Sequence, residues 1–303
     1  MKTLRNLAAG VFIFSLVGAP VLKAQSIDLI EKREVYDKEH IPKKDPLPFP
    51  YTREADVMYE KTVWRMINMR EKMNQPLYYP TKTIGDRRNI TQLLFDILKN
   101  PLPGHQVFAY NPFPVDAYEF ERPMSLEDIY KVKKPDTIWS PPVFDSTIMD
   151  FTVQMEYVDI NLDNISRLMI KEKWFFDRRY STMQVRIIGI CPLMVELQTI
   201  EDPITGEEQY TGDVRRIPLF WVYYPEIRYY LARQEAFNPM NDAQRISFDD
   251  LLTQRRFSSY IYKVSNVQDN RAIAEYAKGM DAMFEAENVK NELFEFEHDL
   301  WEY

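Results

Sequence analysis

The sequence predicts an α+β protein, with an antiparallel strand meander in its second half, flanking helices and an extended N-terminal arm. Three observations carry that prediction. Runs rich in Val, Ile, Met, Phe and Tyr occupy residues 148–160, 183–199, 219–224 and 257–264, with turn residues between them. Segments with apolar residues at helical spacing, bounded by cap residues, lie before and after those runs. Pro42, Pro46, Pro48 and Pro50 crowd one short stretch, where they deny both helix and central strand.

Taken in order, Lys2 and Arg5 precede an apolar run from Leu7 to Leu22, and Ala24 precedes the polar Gln25-Ser26. This is the layout of a secretory signal peptide over residues 1–24, with an apolar run too short and too interrupted for a membrane span. No cysteine stands near the cut, so a lipid anchor on this chain is excluded. Residues 25–52 form the proline-rich arm. Because four prolines leave it no self-contained structure, it is expected to order only by docking on a neighbouring subunit.

Arg53 to Gln75 reads as a helix, with Val63, Met66, Ile67 and Met73 at helical spacing and Pro76 as its stop. Residues 91–99 read as a second helix, capped by Thr91 or Asn89 and closed by Asn100-Pro101. Residues 106–120 alternate loosely, as short strands broken by Pro112 and Pro114. Ser125 and Asp128 form an S-x-x-D cap for a helix over 126–132. Residues 53–147 thus make a mixed N-terminal part, closed by a connector holding Pro135, Pro141 and Pro142.

Residues 148–303 make the α+β part. Its strands at 148–160 and 183–199 flank a helix read over Asn161–Phe176, and residues 201–207 form an acidic turn. Residues 219–224 return as a strand, and residues 257–264 are the last one. The chain closes on a long amphipathic helix. Ala282, Ala286, Val289, Leu293, Phe296, Leu300 and Tyr303 alternate spacings of four and three, with Phe294 and Trp301 widening the stripe. Packing on its own domain and pairing with another chain both suit that stripe, and Phe296 and Trp301 are the candidate partner-binding residues.

Composition removes several function classes. The formal charge is −8, and cutting after Ala24 removes Lys2, Arg5 and Lys23 and no acid, leaving −11. Such a surface does not suit nucleic acid. Eight glycines, with neither G-x-G-x-x-G nor G-x-x-x-x-G-K-[ST], exclude the common nucleotide cradles. One cysteine, Cys191, rules out an internal disulfide and a Cys-rich zinc site, and its apolar surroundings read as those of a buried thiol. H-E-x-x-H and G-x-S-x-G are absent.

The remaining candidates for chemistry are thin. Glu295, His298, Asp299 and Glu302 share one helical face, but opposite the apolar stripe, where a solvated acidic helix end is the better reading. His40 beside the proline arm and His105 after Pro103-Gly104 have nothing in the sequence to orient them as bases. Forty-six acids leave a carboxylate-dependent hydrolase open as the alternative, without pointing to any pair. No catalytic, cofactor-binding or metal-binding residue is assigned. The residues alone describe an exported interaction protein.

Several stretches resemble the gliding-motility family GldN, also called PorN, of the type IX secretion system. They are Arg33-Glu-Val-Tyr-Asp-Lys-Glu-His-Ile-Pro42, Arg53-Glu-Ala-Asp-Val-Met58 and Pro76-Leu-Tyr-Tyr-Pro80. Further on come Trp174-Phe-Phe-Asp177, Val185-Arg-Ile-Ile-Gly-Ile-Cys-Pro192, Pro218-Leu-Phe-Trp-Val-Tyr-Tyr-Pro-Glu226 and Phe296-Glu-His-Asp-Leu-Trp-Glu-Tyr303. The resemblance implies a non-enzymatic periplasmic scaffold without cofactor. It implies assembly with an outer-membrane lipoprotein (GldK/PorK-like) into a self-associating ring, coupled to the periplasmic part of a motor complex (GldM/PorM-like). It carries over no catalytic residue and no contact residue.

Overall fold

The computed structural model describes residues 41–113, 120–132, 137–139, 143–145, 150–152, 155–157, 160–201, 208–238, 240–241 and 243–299. The signal segment, the first part of the arm with His40, the acidic turn at 202–207, and Leu300, Trp301, Glu302 and Tyr303 lie outside them.

Strand β1 runs over Val57–Asn68, in place of the helix expected from Arg53 to Gln75. The correction has a plain cause. Residues 63–67 are buried one after another, because this strand lies inside a sheet covered on both faces. Val63, Trp64, Met66 and Ile67, interrupted only by Arg65, satisfy helical spacing as easily as strand spacing. Its Val, Thr, Tyr and Trp content is the strand signal that the spacing obscured. Only single helical turns follow, at Lys72–Asn74 and Gln75–Tyr78.

Helix α1 (Ile90–Lys99) forms as expected, and Asn89 is its cap. The Asn89 side chain accepts from the Gln92 amide at 2.7 Å, and Gln92 Oε1 accepts from the Asn89 amide at 3.2 Å. Thr91 supports the cap by donating its hydroxyl to Asn89 Oδ1. Short strands β2 (Ala109–Tyr110) and β3 (Pro123–Met124) precede helix α2 (Leu126–Val132), whose Ser125–Asp128 box closes as the sequence implied. Strands β4 (Thr137–Trp139), β5 (Val143–Asp145), β6 (Asp150–Thr152) and β7 (Met155–Tyr157) pair outside the main sheet, β4 with β7 and β5 with β6.

Strand β8 (Ile165–Asp177) replaces the second expected helix, that over Asn161–Phe176. Here burial alternates from Arg167 to Glu172, with Leu168, Ile170 and Glu172 turned inward. Glu172 at an inward position breaks the apolar alternation that marks a half-buried strand. Strand β9 (Thr182–Glu201) then extends for 20 residues, followed by β10 (Glu208–Pro218), β11 (Trp221–Tyr223) and helix α3 (Tyr224–Arg233). Strands β12 (Glu235–Ala236) and β13 (Ile246–Ser247) form a small pair before helix α4 (Phe248–Thr253), which Ser247 and Asp250 cap as a box. Strand β14 (Tyr260–Val264) precedes a helical turn at Ile273–Tyr276 and the long helix α5 (Met280–Asp299).

The main sheet has eight antiparallel strands in the order β14-β1-β8-β9-β11-β2-β3, with β10 also on β9. This is an α+β fold. On one face, Leu168, Ile170 and Ile190 pack with Leu94, Phe95, Tyr224, Leu231 and Phe248 of the helices in the principal core. A second cluster joins Val63, Ile261 and Val264 to Val289 and Leu293 of α5, with Ala282 and Ala286 against it. The C-terminal stripe therefore packs on its own domain from Ala282 to Leu293, and Glu287, Asn291 and Glu295 face solvent.

Candidate functional site

Four of the body's arginines converge on the second part of the proline arm. A segment containing Pro46, Pro48 and Pro50 has lost amide donors and offers chiefly carbonyl oxygens. Donors must then come from side chains, and guanidinium groups supply several in a fixed fork. Arg228 Nη2 donates to the Leu47 carbonyl at 2.8 Å, Arg186 Nη2 to the Pro50 carbonyl at 2.6 Å, and Arg179 Nη2 to the Tyr51 carbonyl. Arg233 donates to Asp45 Oδ1 at 2.8 Å, and Lys44 pairs with Asp250. The Phe49 ring sits between Arg228 and Arg186, 4.0 and 5.4 Å from their guanidinium carbons. Residues 41–52 thus dock on their own chain. For residues 41–52 the expectation of docking on a neighbouring subunit is corrected, because Arg228 of α3, Arg186 of β9 and Arg179 of the turn between β8 and β9 donate to the Leu47, Pro50 and Tyr51 carbonyls of the same chain.

Buried charge is concentrated where elements meet. Arg228 bonds both carboxylate oxygens of Asp249 at 3.0 and 3.1 Å, and the buried Tyr224 hydroxyl donates to the same residue at 2.8 Å. Glu172 is fully buried between two arginines. Arg255 Nη1 lies 2.8 Å from Oε1 and Arg65 Nε 3.1 Å from Oε2, where the Trp174 indole also donates at 3.1 Å. Both guanidinium groups lie over the Trp174 ring, at 5.5 and 5.2 Å. Burial lowers the Arg65 pKa. Asp177, also buried, carries Arg179; burial pushes its carboxyl up, but the bonds from Arg179 outweigh that and hold it below the usual range. These acids join strands, helices and arm.

The opposite sheet face carries an aromatic cluster of Trp64 and Trp221 around Cys191, with Tyr110 and Phe120 against them. Lys263 and Lys171 lie over the Trp64 ring at 4.7 and 5.2 Å. The Cys191 thiol is fully buried, and burial pushes its pKa far above that of a free thiol, as its apolar strand implied.

His105 stacks on Tyr229 at 3.8 Å, so the ring serves packing next to α3. Phe296 is half-buried and stacks on Tyr59 of β1 at 4.1 Å, while Phe294 is exposed. Among the described residues, no group of three or more His, Cys, Asp or Glu is placed to hold a metal ion. Burial raises the Glu226 pKa at the start of α3. Among the described residues no helix is long and apolar enough to cross a membrane.

Beside β14 and the first half of α5 lies a groove of about 800 Å³. Tyr260, Ile261, Ala282, Met283 and Ala286 give it apolar walls, and Arg167, Arg216 and Lys290 stand along it. Met280, Met283 and Phe284 are exposed near its helical rim. Sequence reasoning missed both this groove and the arginine-lined seat of the arm. Neither leaves a local signature, since each draws on residues spread over much of the chain.

A family model described as gliding motility associated protein GldN matches residues 52–302. No curated protein matches the chain.

Proposed function

Since the chain belongs to the GldN family of gliding motility associated proteins, we propose that it is a non-enzymatic structural subunit of the type IX secretion and gliding machinery. In this reading residues 1–24 direct export, and the mature chain works in the periplasm. There it is held at the outer membrane by a lipoprotein partner (GldK/PorK-like), self-associates in a ring and meets the periplasmic part of a motor complex (GldM/PorM-like). The match over residues 52–302 is the observation that carries the proposal. The use of Glu172, Asp177 and Asp249 as joints between elements supports it, as does the apolar surface exposed on α5. A carboxylate-dependent hydrolase needs acids converging in a pocket, whereas Glu226 does not line the groove beside β14.

The test is co-purification from a detergent-solubilised envelope, followed by imaging. The lipoprotein should be recovered with the mature chain in a large assembly, and N-terminal sequencing should begin near Gln25. Recovery as a free subunit that retains Met1 would sink the reading. With −11 on each mature subunit, apolar burial is expected to hold the contacts. Phe296→Ala and Trp301→Ala, each checked for an unchanged melting temperature, should lower recovery at both low and high salt.

A further inference from the structure

The four arginines that meet residues 41–52 are held by the body of the protein, independently of the arm. Arg228 bonds both oxygens of Asp249, and Asp177 and Asp56 lie 3.3 and 3.2 Å from Arg179. Arg186 lies over the Phe175 ring at 5.1 Å, and Arg233 over the Tyr229 ring at 3.9 Å. Each guanidinium thus has a body partner that fixes it, and the N–H bonds left over serve the arm. A donor row fixed before its acceptor arrives is the arrangement of a binding site, because little freedom is lost on binding.

The arm, by contrast, has few ties. Among the described residues no backbone hydrogen bond joins residues 41–52 to a strand or helix of the body. Ile41 is buried, whereas Leu47 and Tyr51 are 76% and 79% exposed. Such a segment can leave without breaking a sheet ladder or a helix, as a unit that opens locally does. What the seat reads is visible in its occupant. Three contacts go to backbone carbonyls, those of Leu47, Pro50 and Tyr51. One goes to the Phe49 ring between Arg228 and Arg186, and one to the Asp45 carboxylate on Arg233.

We propose that the seat formed by Arg179, Arg186, Arg228 and Arg233 is a peptide-recognition site, and that residues 41–52 are its intramolecular ligand. The site takes an extended, proline-bearing segment with an aromatic residue four positions after an acid, as Asp45 and Phe49 stand in the arm. Proline pre-sets the extended shape, so the segment loses little entropy on docking. In the intact chain the short tether gives the arm a roughly millimolar effective concentration, which keeps the site closed in cis.

The probe is a labelled peptide of residues 41–52, followed by fluorescence anisotropy. It is titrated into the full mature chain, both unaltered and with its own arm weakened by Asp45→Ala and Phe49→Ala. Binding to the weakened-arm chain is expected to be at least tenfold tighter than to the unaltered one. It should fall at least tenfold when the peptide itself carries Phe49→Ala, or when Arg186→Ala is added to the weakened-arm chain. Each variant is checked for a retained cooperative melt; if the Arg186→Ala variant does not fold, Arg233→Ala replaces it. No binding to the weakened-arm chain, or equal binding of the two peptides, overturns the inference. Equal binding to the weakened and unaltered chains overturns it as well, since the peptide would then sit away from the seat.

Discussion

Arg228 stacks its guanidinium 4.0 Å from the centre of the Phe49 ring while the same group bonds both oxygens of Asp249. One side chain therefore ties the N-terminal arm, helix α3 and helix α4 together. Arg228→Ala should lower stability by about 3–5 kcal/mol, because it strands a buried carboxylate. Phe49→Ala should cost about 0.5–2 kcal/mol, the range for a stacked cation. Denaturant midpoints check both, and a chain lacking residues 41–52 should melt earlier than the intact one. An arm that is dispensable for stability would contradict the docking.

Glu172 joins β8 to two arginines from β1 and from the loop after α4. Glu172→Ala should cost about 3–5 kcal/mol, since Arg65 would remain buried without its counter-charge. Glu172→Gln keeps an acceptor for the Trp174 indole and should cost less. Chemical denaturation of both variants gives the order, and a larger loss for Gln than for Ala would refute the account.

Gly189 on β9 admits the Phe120 ring. A Cβ built there would lie 2.4 Å from Phe120 Cζ and 3.0 Å from the Val222 carbonyl oxygen. Gly189→Ala should therefore cost about 1–3 kcal/mol through overpacking. In a double-mutant cycle with Phe120→Ala the two losses should be less than additive, because removing the ring removes much of the clash. Strict additivity would show that the two positions do not press on each other.

Asp250 caps α4 and pairs with Lys44 of the arm. Burial pushes its carboxyl up, but the bonds from Lys44 and Ser247 outweigh that and hold it below the usual carboxylate range. A depressed folded-state pKa stabilises the protein above the unfolded value of about 3.9 and loses that contribution as pH falls through the folded value. The melting-temperature advantage of wild type over Asp250→Asn should thus be full near pH 6 and shrink as pH drops below about 4. An advantage that grows on acidification would mean the group titrates the other way.

What the sequence alone determined is what short-range chemistry enforces. Asn89 and Ser125 cap their helices because a side-chain oxygen two or three residues away is the nearest partner for an orphan amide. Long β9, the helical stripe from Ala282 to Leu293 and the buried Cys191 follow from composition and spacing in one stretch, whereas what that stripe packs against does not. The tertiary structure decided the rest. β1 is a strand because β14 and β8 pair with its two edges and both its faces are covered, which no local pattern encodes. β8 hides an inward glutamate that makes sense only beside Arg65 and Arg255. Residues 41–52 of the arm are held because Arg179, Arg186 and Arg228, far from them in sequence, meet backbone carbonyls among the prolines, and Arg233 meets the Asp45 carboxylate.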